Sequence, residues 1–253
     1  MRYVVRLGGG MGDAILRYAR SGLAALRVER PKAFVRLAVM CVGPHIPTLF
    51  EYCPLIDELV SQTWDGSGRD FDGRWVEGMA EVPQKGPTTQ IYLAPGEQAL
   101  SGYVAVHPFA GTGDRDWRGK IDIEALVRSL TTAGKQVVLL GGDSTRTDGW
   151  GKPGTVELTE SSALEMPGLL NLVGRASVRE QAYAAMNASA FVGTFSSFHS
   201  AAIAGDVPKF VVTDRAYQKN MEGRDPQRGI VAENSRVTYF DEFDADRFIA
   251  EVL

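Results

Sequence analysis

The chain has 253 residues, with 27 Lys and Arg against 31 Asp and Glu, a formal charge of −4. Its length holds one large α/β domain or two of modest size, and 44% apolar with 23% charged residues excludes a disordered chain. The acidic balance argues against a protein whose main work is gripping phosphate backbones, and two cysteines, Cys41 and Cys53, without CxxC spacing read as reduced, buried thiols rather than a disulfide scaffold or zinc site.

The first residues carry Arg2 and Arg6 and break into glycines, so they are no signal peptide, and no apolar run reaches the length of a membrane span. These features point to a soluble, cytoplasmic protein. Tyr3 to Leu7 reads as a strand. Gly8-Gly9-Gly10-Met11-Gly12 and Asp13 follow, and from Ala14 a helical spacing runs through Ile15, Ala19, Gly22 and Leu26. Strand, glycine turn and helix open a Rossmann-like unit. The glycines miss the G-x-G-x-x-G register and no acidic residue closes a second strand, which argues against an NAD or FAD enzyme. Asp13 stands at the helix start beyond a strand's carboxyl end. It either caps the helix or faces the ligand crevice, where it could take a proton from an acceptor hydroxyl.

Val35 to Met40 is a second strand, Pro47 to Tyr52 a short helix, Ile56 to Val60 another short strand or a turn, and Thr89 to Leu93 a last strand of the first half. Between them, Trp64 to Pro87 lacks periodicity and reads as loop, an acceptor-facing surface in which Trp64, Arg69, Arg74 and Trp75 are the candidates. Ala94 to Gly102, rich in Pro and Gly, is the linker candidate, dividing the chain into 1–98 and 99–253.

The second half repeats the pattern. Tyr103 to His107 is a strand running into Gly111-Thr112, followed by Arg115 and Lys120. Backbone N–H groups and cations together suit a pyrophosphate; a solvated basic loop is the plainer alternative. Ile123 to Thr132 reads as a helix and Gln136 to Leu140 as a buried parallel strand ending in Gly141-Gly142, where backbone could pack against a ligand. Leu169 to Gly174 is a strand and turn, Val178 to Asn187 a helix, and Ala190 to Val192 a strand. That strand stops at Gly193 and delivers Thr194-Phe195-Ser196-Ser197 to a helix beginning near His199. A helix start with a Ser-Ser turn and a histidine is an anion site for the phosphates and sugar of a nucleotide-sugar, or else an ordinary connection with hydroxyl caps. Pro208 to Thr213 is one more strand, Tyr217 to Arg228 a loop, and Asp244 to Val252 a closing helix. The alternation implies parallel sheets.

Over about residues 103 to 212 the order and spacing resemble glycosyltransferase family 9, the heptosyltransferases. The carrying residues are Val106-His107-Pro108 with Gly111, Arg115-Asp116-Trp117, Val138 to Gly142, Asn171 to Ser177, and Gly193 through His199 to Ala202 with Pro208. Arg6-Leu7 and Gly12-Asp13 resemble the family's opening. The resemblance implies a GT-B fold, two Rossmann-like lobes with parallel sheets facing across a cleft. It also implies an inverting sugar transfer from a nucleotide-sugar, with no metal or other cofactor. Asp13 would then be the general base. Gly12, Gly111, Thr112, Arg115, Lys120, Gly141, Gly142, Gly174, Thr194, Ser196, Ser197 and His199 would form the donor side. Two departures stand out. Arg115 replaces the family's lysine, and Thr194 replaces a carboxylate expected to grip donor-sugar hydroxyls, which points away from ADP-heptose. The sequence leaves the acceptor open among a glycan, a lipid-linked core and a modified DNA base. The last would make this a phage-type base glycosyltransferase. A non-catalytic nucleotide-sugar binding module is the alternative of another class.

Overall fold

The computed structural model describes residues 1–41, 43, 45–63, 75–82, 88–109, 117, 119–141, 146–147, 153–154, 163–216 and 235–252. The first lobe opens with β1 (Arg2–Gly9), α1 (Met11–Arg20) and α2 (Leu23–Glu29). Strands β2 (Phe34–Cys41), β3 (Glu58–Thr63) and β4 (Ala80–Glu81) complete a parallel sheet in the order β3-β2-β1-β4. The register sets Gly9 beside Cys41 and Cys41 beside Thr63, so three strands end along one edge.

The single long helix expected after the glycines is broken at Ser21-Gly22, where the Ser21 hydroxyl turns back onto the Tyr18 carbonyl at 2.6 Å. The short helix expected from Pro47 is one 3-10 turn, Pro47–Leu49. No strand forms over residues 89–93. That segment gives its Thr89 N–H to the Ala19 carbonyl and takes the Tyr18 hydroxyl on the Gln90 carbonyl, so it straps α1 instead of joining the sheet. The fourth strand comes from Ala80–Glu81, which lies in the stretch expected to be loop.

The second lobe is a six-stranded parallel sheet made of β5 (Tyr103–His107), β6 (Gln136–Leu139), β9 (Leu169–Asn171), β10 (Ala190–Gly193), β11 (Lys209–Thr213) and β12 (Ser235–Tyr239). A two-stranded antiparallel ribbon, β7 (Arg146–Thr147) with β8 (Pro153–Gly154), stands apart. The sheet order is β12-β11-β10-β5-β6-β9. Helices α3 (Ile123–Thr132) and α6 (Ala245–Val252) flank one face, and α4 (Val178–Met186) and α5 (Ser197–Ala204) the other.

Period-two alternation decides which side chain meets which layer. Val104 and Val106 point to α3, with Leu126 and Leu130, while Tyr103 and Ala105 point to α4 and α5. Trp117, fully buried on the α3 side, donates its indole N–H to the Val212 carbonyl at 3.0 Å and pins the loop after β5 to β11. Cys41 and Cys53 are both buried, free thiols.

The core on the α4–α5 side does not end with its own sheet. It continues through α5 into α1, so Ile15 and Ala19 of the first lobe share one apolar cluster with Phe198 and Ala201 of the second. The contact is close because small residues line it. A β-carbon on Gly12 would lie 2.7 Å from Ser200 Oγ and 3.6 Å from Ser197 Cα.

Candidate functional site

The contact at Gly12 brings two helix N-termini together, α1 from the carboxyl end of β1 and α5 from the carboxyl end of β10. Each carries unpaired backbone N–H groups and partial positive charge, so their meeting point favours an anion.

Asp13 is the third residue of α1, half-buried, and its Oδ2 accepts the Gly10 N–H at 3.2 Å. Gly9, at φ 101°, lies so close that a β-carbon there would sit 2.9 Å from the same oxygen. The backbone therefore fixes the carboxylate by leaving room for it. Burial first, and then the Asp13 charge, push the Cys41 thiol up to about 12, so that thiol stays protonated at neutral pH.

Across the contact, Ser196 caps α5, its Oγ accepting the His199 N–H at 3.2 Å. The same Oγ lies 2.9 Å from His107 Nδ1 at the end of β5. His107 is 6% exposed and stands edge-on to Phe198, with ring centres 4.8 Å apart. The tie between Ser196 and His107 joins β5 to the start of α5. In the turn itself Thr194, Phe195, Phe198 and His199 are buried, and only Ser196 and Ser197 are partly exposed.

Several expected donor residues stand differently from their sequence reading. The His199 ring is 1% exposed between Phe191 and Phe195, and its Nε2 has no hydrogen-bond partner among the described residues. It faces the core, and burial with the nearby Lys209 charge lowers its pKa to about 3, so the ring is neutral. Thr194 is fully buried, its Oγ1 also without a partner among the described residues. Gly141 gives its N–H to Gln181 Oε1 at 2.8 Å, and a β-carbon on it would lie 2.5 Å from the Phe109 ring. Its backbone is covered rather than offered to a ligand. Gly174 is an exposed turn residue at φ 65°. Lys120 is exposed and holds its ammonium 4.4 Å above the Phe240 ring. Trp75 gives its carbonyl to Arg36 at 2.7 Å, beside the amino-terminal half of β2 rather than the edge where Asp13 stands. Gly111, Thr112, Arg115, Gly142, Trp64, Arg69 and Arg74 lie outside the described residues.

The fold has counterparts among known structures. Escherichia coli ADP-heptose LPS heptosyltransferase II superposes with a TM-score of 0.61 at 15% identity, over 100% of this chain and 97% of that one. The fold is that of the heptosyltransferases. E. coli heptosyltransferase WaaC with ADP-2-deoxy-2-fluoro heptose also gives 0.61, at 11% identity and with both chains fully covered. A glycosyltransferase family 9 protein from Veillonella parvula gives 0.55 at 12% identity, over 94% and 85%. No protein-family model and no curated protein sequence matches the chain. The two parallel sheets of this heptosyltransferase-like chain are thus the two lobes of a GT-B molecule. Among the described residues no helix is long and apolar enough to cross a membrane, and no group of three His, Cys, Asp or Glu could hold a metal ion.

Two features of the site do not stand out in the sequence. His107 reads there as the end of a strand and, in Val106-His107-Pro108, as part of the family resemblance, but not as a site residue. Arg179, described below, has no local sequence signal at all.

Proposed function

We propose that the chain is an inverting, metal-independent glycosyltransferase that moves a sugar from a nucleotide-sugar to an acceptor hydroxyl, with residues 1–98 as the acceptor lobe and 99–253 as the donor lobe. The observation that supports it is the meeting of the α1 and α5 N-termini at Gly12, with Asp13 the next residue in the first turn of α1. A nucleoside diphosphate set there lies against the amides of both helices and the hydroxyls of Ser196 and Ser197. Gly111, Thr112, Arg115 and Gly142 complete its grip in this reading.

In the reaction Asp13 takes the proton of the acceptor hydroxyl. The oxygen attacks the anomeric carbon from the face opposite the diphosphate, the bond from that carbon to the phosphate oxygen breaks, and the configuration inverts. Negative charge grows on the departing diphosphate, where fixed dipoles stabilise it without having to reorient. One fold neighbour is named as an ADP-heptose LPS heptosyltransferase, and another is a heptosyltransferase with ADP-2-deoxy-2-fluoro heptose. That places ADP-sugars first among donors to test, followed by UDP- and GDP-sugars.

The test is a thermal-shift panel of these nucleotide-sugars, followed by turnover with Asp13→Asn. A bound donor raises stability by about 2.7 kcal/mol at a hundred times its Kd. Asp13→Asn should keep the shift and lose transfer. Full transfer in that variant removes Asp13 from its role, and no shift with any donor overturns the donor site.

A further inference from the structure

One charged side chain ties three distant segments together at the lobe interface. Arg179, the second residue of α4, is 7% exposed. Its guanidinium forks onto Glu97 in the segment that leads into the second lobe, Nε to Oε2 and Nη2 to Oε1, both at 2.9 Å. Its Nη1 donates to the Thr48 carbonyl of the first lobe at 2.5 Å and stands 3.5 Å from Glu51. The Tyr52 ring lies 4.5 Å beneath it. Glu97 is itself held from two more sides, by the Ser177 hydroxyl at 2.6 Å and the Ala94 N–H at 2.7 Å. Burial pushes the Glu97 carboxyl up, but the Arg179 fork and these bonds outweigh it and hold it below the usual carboxylate range.

A forked, carbonyl-bonded guanidinium is directional in a way that apolar packing is not. The contact of α1 with α5 is apolar packing around Gly12 that includes Ile15 and Phe198, and the Arg179 clamp adds fixed directions to it. Two residues further along α4, Gln181 holds the Gly141 N–H at the end of β6. The first turn of α4 therefore grips the first lobe with one side chain and the donor lobe's strand edge with another.

We propose that Arg179 is a positioning residue, whose clamp on Glu97 and the Thr48 carbonyl sets the first lobe so that the first turn of α1, which carries Gly12 and Asp13, stands against the N-terminus of α5. Its role in transfer rests on the glycosyltransferase reading above, whereas its effect on lobe geometry does not. The clamp acts through Asp13 and touches no substrate, so its loss lowers turnover far more than it lowers donor binding, which the α1 amides share with α5, Ser196 and Ser197.

The experiment compares Arg179→Met, Arg179→Lys and the double variant Arg179→Met with Glu97→Leu. Each is followed by thermal unfolding, small-angle scattering and, with the donor found in the panel, turnover and donor KM. Removing one partner strands a buried charge, while removing both does not, so the double variant should recover the stability that Arg179→Met loses. It should not recover turnover, which stays about 100-fold down, the scale of a 1 Å misplacement, while donor KM changes by far less. Arg179→Lys keeps the charge without the fork and should fold while turning over slowly. In all three the radius of gyration should exceed that of the wild type. Turnover that returns with stability in the double variant, or an unchanged radius of gyration in the folded variants, overturns the proposal. If the wild type turns over no donor, the transferase reading fails, and scattering alone decides the clamp.

Discussion

The buried His199 ring makes stability depend on pH in a window where few other groups titrate. Its ordinary pKa is 6.5, and burial, helped by the Lys209 charge, lowers it to about 3 in the folded chain. The unfolded chain takes up a proton as pH falls through 6.5 while the folded chain does not. The contribution is therefore complete above 6.5 and is lost as pH falls from there toward 3. Linkage gives a loss of about 1.4 kcal/mol between pH 7.5 and 5.5, and about 2.7 kcal/mol by pH 4.5. The first figure corresponds to a drop of roughly 3–6 °C in Tm for a chain of this size. The variant that isolates it is His199→Leu, close in volume and with no proton to bind. Because Nε2 has no partner among Phe191 and Phe195, the leucine should be at least as stable as histidine at pH 7.5. Urea unfolding at pH 7.5, 6.5 and 5.5, read by tryptophan fluorescence, should show the wild type losing stability faster than the variant by that 1.4 kcal/mol. His45 and His107 are common to both chains and cancel. The carboxyls of Asp57 and Glu97, held below their ordinary range, titrate beneath the window. Equal slopes in the two chains would show that the imidazole is not neutral and buried, and the placement of α5 against β10 would fall with it.

Gly12→Val should cost about 1–3 kcal/mol by pushing α1 away from Ser200; a valine variant of wild-type stability in urea would show that the helices do not touch there. Ser196→Ala removes the α5 cap and should cost about 1 kcal/mol, and should weaken the nucleotide-sugar thermal shift as well. An undiminished shift takes Ser196 out of the donor site. Trp117→Phe leaves the Val212 carbonyl unpaired and should cost about 2 kcal/mol in the same unfolding assay; no loss would show that the indole N–H pins nothing.

The strands legible in the sequence are those buried on both faces, because they read as unbroken apolar runs. Residues 104–106 and 137–139 form such strands. β12 is not legible, because it is an edge strand with half-exposed side chains and no such run. Residues 89–93 carry a strand's residue types, but Thr89 gives its N–H to α1, a choice made by tertiary contact rather than by propensity. At the site, glycines and serines near strand ends are visible, because turns require them. Which way a ring faces is not. His199 sits in the first turn of α5 like a ligand-binding residue, yet the helix is buried almost all round and takes the ring inward. The clamp on Arg179 is invisible for a simpler reason: its partners Thr48, Glu51 and Glu97 lie more than eighty residues away, beyond any local pattern.

The apolar cluster that runs from Leu7 and Ile15 through Phe198 to Leu140 makes the molecule indivisible in practice. A fragment ending in the segment that carries Glu97 would present one greasy flank of α1 to solvent, and its counterpart would present the alanine face of α5. Neither half would stay monomeric at working concentrations. Recombining one half with a foreign acceptor module would succeed only if the newcomer brought its own glycine opposite Ser200, since at that spot the serine hydroxyl fills the space a β-carbon would need.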